Sequence, residues 1–271
     1  MEQNLANLRL AVLIDAENVP RNCIKSVMQE VAIYGTPTIK RIYGDWTNPS
    51  IAGWKYSLLE NAITPIQQYS YTQGKNSSDS AMIIDAMDTL YTEKTDGFVI
   101  VSSDSDFTRL AIRLREAGQR VIGIGEKKTP SPFIAACDKF IYIEIIRANF
   151  EDERQEAAAL QLETQSVQPK QLAQRERQHT TRPRGVHVPD DIIQLIADSV
   201  SDLSDDGDGV FMGELGNLIL KKKPDFDCRN YNYNSLSALI KSVERFDIDF
   251  RQTSDPNIKH PYVKDKMRDN G

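Results

Sequence analysis

Apolar and polar positions change rhythm repeatedly over the first half of the chain. Leu8–Ile14 is an almost unbroken apolar run of strand length. Arg21–Tyr34 follows with Ile24, Val27, Met28 and Val31 at helical spacing. The same reading gives strands at Thr38–Tyr43, Ile66–Tyr71, Phe98–Val101 and Arg120–Ile124. It gives helices at Ile51–Ala62, Ser78–Tyr91 and Phe107–Ala117, the last closed by Gly118. Ser131-Pro132 reads as the start of a further helix, with Ser as N-cap and Pro at the first helical position, and Phe140–Ile146 closes the series. Strands that alternate with helices predict an α/β domain, a mostly parallel sheet covered by helices on both faces.

The rhythm then stops. From Glu151 to about Gly185 the chain is rich in Glu, Gln, Arg, Ala and Thr and has no aromatic residue. This reads as a linker, partly helical through Ala157–Leu160. Its basic second half (Lys170, Arg175, Arg177, Arg182, Arg184) is either solvated chain or an auxiliary phosphate contact. Periodicity resumes at Pro189. Helical stripes are carried by Ile192, Leu195, Ile196, Val200 and Leu203, by Leu215, Leu218 and Ile219, and by Leu236, Leu239, Ile240 and Val243, and Phe246–Phe250 is a short strand. Three helices with a small β element suit a winged helix-turn-helix-like module. The domains expected are 1–148, a linker 149–186, a module 187–252 and a tail 253–271.

Composition sets limits on the chemistry. Apolar residues make up 40% of the 271, enough for a true core, and no apolar stretch approaches bilayer length. Met1-Glu2-Gln3-Asn4 carries no leader signature, so a cytoplasmic protein is expected, with no membrane partner. The three cysteines, Cys23, Cys137 and Cys228, lie far apart and support neither a disulfide framework nor a thiolate zinc site. The three histidines all come late in the chain. A net charge of -6 argues against a general basic nucleic-acid binder but not against a nuclease with an acidic site.

Acids and amides sit just beyond the apolar runs. Leu8–Ile14 ends in Asp15, with Asn18 three residues on, and Phe98–Val101 ends in Ser102-Ser103-Asp104-Ser105-Asp106-Phe107. Lys75-Asn76-Ser77-Ser78-Asp79 opens the helix between them. In a parallel sheet these positions share the carboxyl edge, where ligands bind. Crowded carboxylates destabilise one another unless a cation neutralises them. With no histidine nearby the ligands are all oxygen, which favours Mg²⁺ or Mn²⁺. Such ions activate water and neutralise charge on a phosphodiester. Asp15, Asp79, Asp104 and Asp106 are the expected ligands, Asn18 the orienting amide, and Lys75 and Arg109 the expected phosphate contacts. Each acid also has a local role available: helix capping for Asp15 and Asp79, turn formation for Asp104 and Asp106. Asp85 lies six residues past Asp79 and reads as supporting or structural. Gly123–Lys128 lacks any nucleotide-binding spacing and reads as an ordinary loop. Trp46 and Trp54 suit either base stacking or packing.

Three segments, Leu13–Asn18, Lys75–Asp79 with Asp85 downstream, and Ser102–Phe107, in this order and spacing, resemble the NYN domain of the PIN-like ribonucleases. The resemblance implies Mg²⁺- or Mn²⁺-dependent RNA cleavage, with the acidic positions on Asp15, Asp79, Asp104 and Asp106 and Asn18 beside them. Ser103 stands where that family usually has Gly. Residues 187–251 resemble the OST-HTH (LOTUS) domain through Val210–Gly216, Lys223–Asp227, Asn230–Tyr233 and Leu236–Ile240. That resemblance implies RNA binding, including guanine-quadruplex RNA. Lys221, Lys222 and Lys223 are then phosphate contacts, or else simple complements to a helix dipole. Asn232 stands where the family often has Gly.

The preferred expectation is a metal-dependent ribonuclease, acting internally on RNA captured partly by the C-terminal module. The rivals are a non-catalytic RNA-binding regulator on the same scaffold, and a DNA-binding module joined to a phosphatase-like domain.

Overall fold

The computed structural model describes residues 8–69, 77–92, 94–152, 187–204, 209–252 and 259–267. It forms two compact units that divide at Gln155/Glu156. No helix among the described residues is long and apolar enough to cross a membrane.

The first unit is built on β1 (Arg9–Asp15), β2 (Thr36–Gly44), β3 (Thr64–Gln67), β4 (Gly97–Val101), β5 (Arg120–Gly125) and β6 (Lys139–Tyr142). They form one sheet in the order β3-β2-β1-β4-β5-β6, every pair parallel. The crossovers carry α1 (Ile24–Tyr34), α2 (Lys55–Asn61), α3 (Ser77–Thr92), α4 (Thr108–Glu116) and α5 (Ser131–Ala136). A last helix, α6, begins at residue 143 and is described to residue 152.

The period of two along β1 sorts its side chains. Leu10, Val12 and Ile14 join the core beneath α1, α2 and α6. Ala11 and Leu13 join the core beneath α3, α4 and α5. Each fully buried Leu or Ile on this strand contributes about 1.5–3 kcal/mol. Strand order runs outward through β2 and β3 on one side of β1 and through β4, β5 and β6 on the other. The reversal falls between β1 and β4, where open α/β sheets bind ligands at the carboxyl ends of their strands.

Element boundaries move slightly from the expected ones. Part of the Ile51–Ala62 segment is a 3-10 turn, Pro49–Trp54, that leads into α2. The N-cap of α5 is Pro130, not Ser131; Ser131 is the first helical residue and no side chain caps the helix. Proline at position 132 pushes the residue before it toward extended backbone, yet the helix begins there because Pro130 is itself extended and its carbonyl takes the first bonds, from Phe133 and Ile134. Gly118 ends α4 with φ +81, a conformation that glycine reaches without strain.

The second unit contains α7 (Asp190–Leu203), β7 (Val210–Phe211), α8 (Met212–Lys222), α9 (Leu236–Ser242), β8 (Phe246–Gln252) and β9 (Lys259–Asp265). Its antiparallel sheet runs β7-β9-β8, over a core that includes Ile196, Leu215, Ile219, Leu239 and Val263. Residues 259–265, assigned to the tail on sequence grounds, are thus the central strand of this sheet. Pro261 lowers their strand character in sequence, but it lies opposite Phe250 in the β8–β9 pairing, and Val263 is fully buried. Asn232 adopts φ 61, the left-handed region, which accounts for a glycine preference at this position; Asn is the non-glycine residue that tolerates it best.

Candidate metal centre

Asp15 ends β1 on the face that α3 covers. It is 1% exposed, and its oxygens are already engaged. Oδ1 accepts from the backbone N–H of Glu17 at 3.0 Å and of Asn18 at 3.3 Å. Oδ2 accepts from Asn18 Nδ2 at 2.7 Å and from Ser102 Oγ at 2.9 Å. Four donors thus satisfy both oxygens of this buried carboxylate. Asn18 therefore spends its amide on Asp15. Ser102, the first residue past β4, also accepts from the Asp104 backbone N–H at 3.1 Å. One hydroxyl thus ties the ends of two neighbouring strands together. Sequence reasoning assigned Ser102 no role. The available signal was its place directly after a strand and two residues before an acid, where a hydroxyl turn forms.

Asp79, Asp104 and Asp106 converge. One carboxylate oxygen from each lies within 4.8 Å of the other two. Asp104 caps the short 3-10 turn Ser105–Phe107, its Oδ1 accepting from the Asp106 N–H at 2.9 Å. Asp106 lies in that turn and is exposed. Asp79 comes from the first turn of α3 and is 6% exposed. Asp15 is outside this trio, but its charge is felt there. The Asp79 carboxyl is pushed up from 3.8 to about 7, first by burial and then by the charges of Asp15, Asp104, Asp106 and Glu17. Glu17 is raised as well, by burial and by Asp15 and Asp45. Glu17 and Asp45 extend the anionic edge beyond the residues singled out in sequence; acids beside a strand-end aspartate were the signal.

Three oxygen donors at this spacing, one of them raised by burial and then by its neighbours' charge, fit a hard divalent cation. Binding it removes the repulsion that raises Asp79, and no nitrogen or sulfur donor belongs to the trio.

The supporting residues take defined places. Asp85 faces away from the trio. It pairs with Arg41 of β2 at 2.5 Å and accepts from the buried Tyr43 hydroxyl, fastening α3 to the sheet. Burial and this bond raise the Tyr43 phenol far above its usual range. Ser103 shows no positive φ, and its Oγ accepts from the Glu126 N–H at 2.8 Å, so it anchors the loop after β5. In that loop Lys128 pairs with Glu126 at 2.6 Å. Trp54 is core, 3% exposed. Trp46 packs partly buried and donates from Nε1 to the Ile66 carbonyl at 2.9 Å, covering edge strand β3.

Among the expected phosphate contacts, Arg109 is exposed in the first turn of α4. Lys75 and the basic linker residues lie outside the described residues. Lys221 is exposed at the end of α8. Lys222 pairs with Asp202 at 2.7 Å and Lys223 with Asp225 at 3.0 Å. Part of this basic run is therefore neutralised within its own unit.

Comparison with known proteins agrees with the geometry. The NYN domain profile matches residues 9–144, and the OST-HTH/LOTUS domain profile matches residues 187–258. A protein of unknown function from Vibrio parahaemolyticus is 18% identical, with a TM-score of 0.44, over 53% of this chain and 96% of its own. An uncharacterized protein from Nitrosomonas europaea, solved by solution NMR, is 29% identical, with a TM-score of 0.25, over 37% of this chain and 89% of its own. No curated protein matches. With the NYN match spanning half of the chain and the OST-HTH/LOTUS match following it, the chain belongs to the NYN-domain family of PIN-like, RNA-related nucleases and carries a LOTUS RNA-binding domain.

Proposed function

We propose that the protein is a Mg²⁺- or Mn²⁺-dependent endoribonuclease whose LOTUS domain captures part of the RNA. The observation that carries this reading is the convergence of Asp79, Asp104 and Asp106 within 4.8 Å. These three would hold the cation, and Asp15, pinned by Asn18 and Ser102, adds negative charge beneath them. When bound, the cation supplies charge neutralisation at the phosphate and lowers the pKa of water. The chain's own residues do the rest. Asp104 is fixed by its capping bond and by Ser102, so its geometry is set before RNA arrives. Asp79, raised toward neutrality by burial and by its neighbours' charge, would give up its proton to a cation held by the trio. The LOTUS unit raises the local concentration of RNA at the site through the tether.

The test is cleavage of internally labelled RNA in Mn²⁺, in Mg²⁺ and in EDTA, comparing wild type with Asp104→Asn. Asn retains an oxygen to accept from Asp106, so the substitution removes charge and keeps the turn. Internal cuts that need metal and vanish in the variant are expected. Wild type as inert as Asp104→Asn in both metals would defeat the reading and favour a non-catalytic RNA-binding regulator.

A further inference from the structure

Several arginines of the first unit are neutralised by partners. Arg9 pairs with Asp96 at 3.1 Å, Arg41 with Asp85 at 2.5 Å and Arg115 with Asp138 at 2.9 Å. Arg21 behaves differently. It opens the 3-10 turn Arg21–Cys23, directly after the loop that holds Asp15, Glu17 and Asn18. It is exposed, yet among the described residues no carboxylate pairs with it and no acceptor takes its N–H groups.

Shape holds it instead. Gly53, in the 3-10 turn Pro49–Trp54, leaves open the space where the Arg21 guanidinium lies. A Cβ there would come 1.6 Å from Arg21 Nη1 and 2.8 Å from Cζ. The contact joins the crossovers that leave β1 and β2. These strands are parallel neighbours, so both crossovers depart from the carboxyl edge that carries the acidic trio. An arginine on such an edge has carboxylates available to fold onto. Resting on a glycine keeps its charge unspent.

We propose that Arg21, seated on Gly53, binds a backbone phosphate of the RNA beside the trio. The identity of the ligand rests on the ribonuclease reading. A polyanion approaching Asp15, Glu17, Asp45 and the trio is repelled unless fixed cations receive it. A guanidinium receives phosphate through paired N–H donors, and such a contact positions the strand without reading its sequence. Arg109 stands beyond β4, on the other side of β1, exposed and likewise without a partner among the described residues. The two arginines stand in the turns that follow β1 and β4, the strands whose exits carry Asp15 and Asp104.

The experiment uses the full chain in EDTA, with a short labelled single-stranded oligoribonucleotide titrated over a range of salt. Arg21→Ala should weaken binding about 3- to 10-fold and make the slope of log affinity against log salt shallower by about 0.7, one phosphate contact on a single strand. Gly53→Ala keeps the charge and displaces it, so it should weaken binding in the same direction. The double variant should be no weaker than Arg21→Ala alone. Lys94→Ala, an exposed cation before β4 at the opposite edge, should change neither quantity. The proposal is overturned if Arg21→Ala binds within about twofold of wild type with an unchanged slope. It is overturned equally if Lys94→Ala has the same effect, or if a folded Gly53→Ala binds like wild type. Because the titration needs neither metal nor cleavage, a chain that binds in this way but never cuts defeats only the nuclease reading. One that cuts without any effect of Arg21 defeats only this proposal.

Discussion

Replacing Asp79 by Asn should stabilise the metal-free protein while removing its response to metal. In the folded chain the carboxyl is 6% exposed and raised from 3.8 to about 7 by burial and neighbouring charge. At about 1.4 kcal/mol per pH unit, the penalty for ionising it above neutrality is roughly 4 kcal/mol. Asn keeps the shape and loses the charge, but its amide is poorly partnered, which returns about 1–2 kcal/mol. The net gain is about 2–3 kcal/mol, or roughly 5–10 °C in Tm for a unit of this size. The sign follows from linkage. The folded carboxyl binds its proton more tightly than the unfolded one, so the penalty is absent below about pH 4, grows up to about pH 7 and is constant above. Both tryptophans, Trp46 and Trp54, belong to the first unit, so a fluorescence melt reports that unit alone. At pH 8 in EDTA the variant should melt above wild type, and the gap should close toward pH 4. With Mn²⁺ at a hundredfold excess over Kd the wild type should gain about 2.7 kcal/mol and the variant far less. A variant that melts at or below wild type at pH 8, or a gap that ignores pH, refutes the charge-crowding argument.

Three further outcomes follow from the same geometry. Mn²⁺ affinity, measured by calorimetry, should rise between about pH 6 and pH 8 by close to tenfold, then level off, because the cation displaces the Asp79 proton. Ser102→Ala removes a donor from Asp15 and an acceptor from the Asp104 N–H, and should lower stability in urea by about 1–3 kcal/mol. Tyr43→Phe leaves Asp85 with Arg41 alone and should destabilise the first unit by about 1–2 kcal/mol in the same assay.

The parallel sheet was legible because each apolar run ends where its strand ends, and the helical stripes between runs allow few other topologies. Asp104 and Asp106 were legible as strand-exit acids, and Asp79 as a helix-start acid facing them. The inward hydrogen bonding of Asp15 was not. It depends on Ser102, which becomes a neighbour only when β4 pairs with β1, a contact spanning 87 residues. β9 was missed because its alternation is carried by few side chains and interrupted by Pro261. The Arg21–Gly53 contact was invisible for a similar reason: a glycine's meaning there is the space it leaves for a residue from another crossover. The Lys221–Lys223 run shows the opposite risk, since a basic stretch in sequence proves partly paired in space.

β1 is paired on both edges and covered on both faces, whereas Asp79 rides on the opening turn of a helix and Asp106 on a solvent-facing 3-10 turn. The anchor of the centre therefore belongs to the last part of the unit to open, and its gripping arms to parts that open early. On warming, the hold on an ion should loosen well before the sheet gives way, so heat would silence the centre while leaving the scaffold able to restore it on cooling.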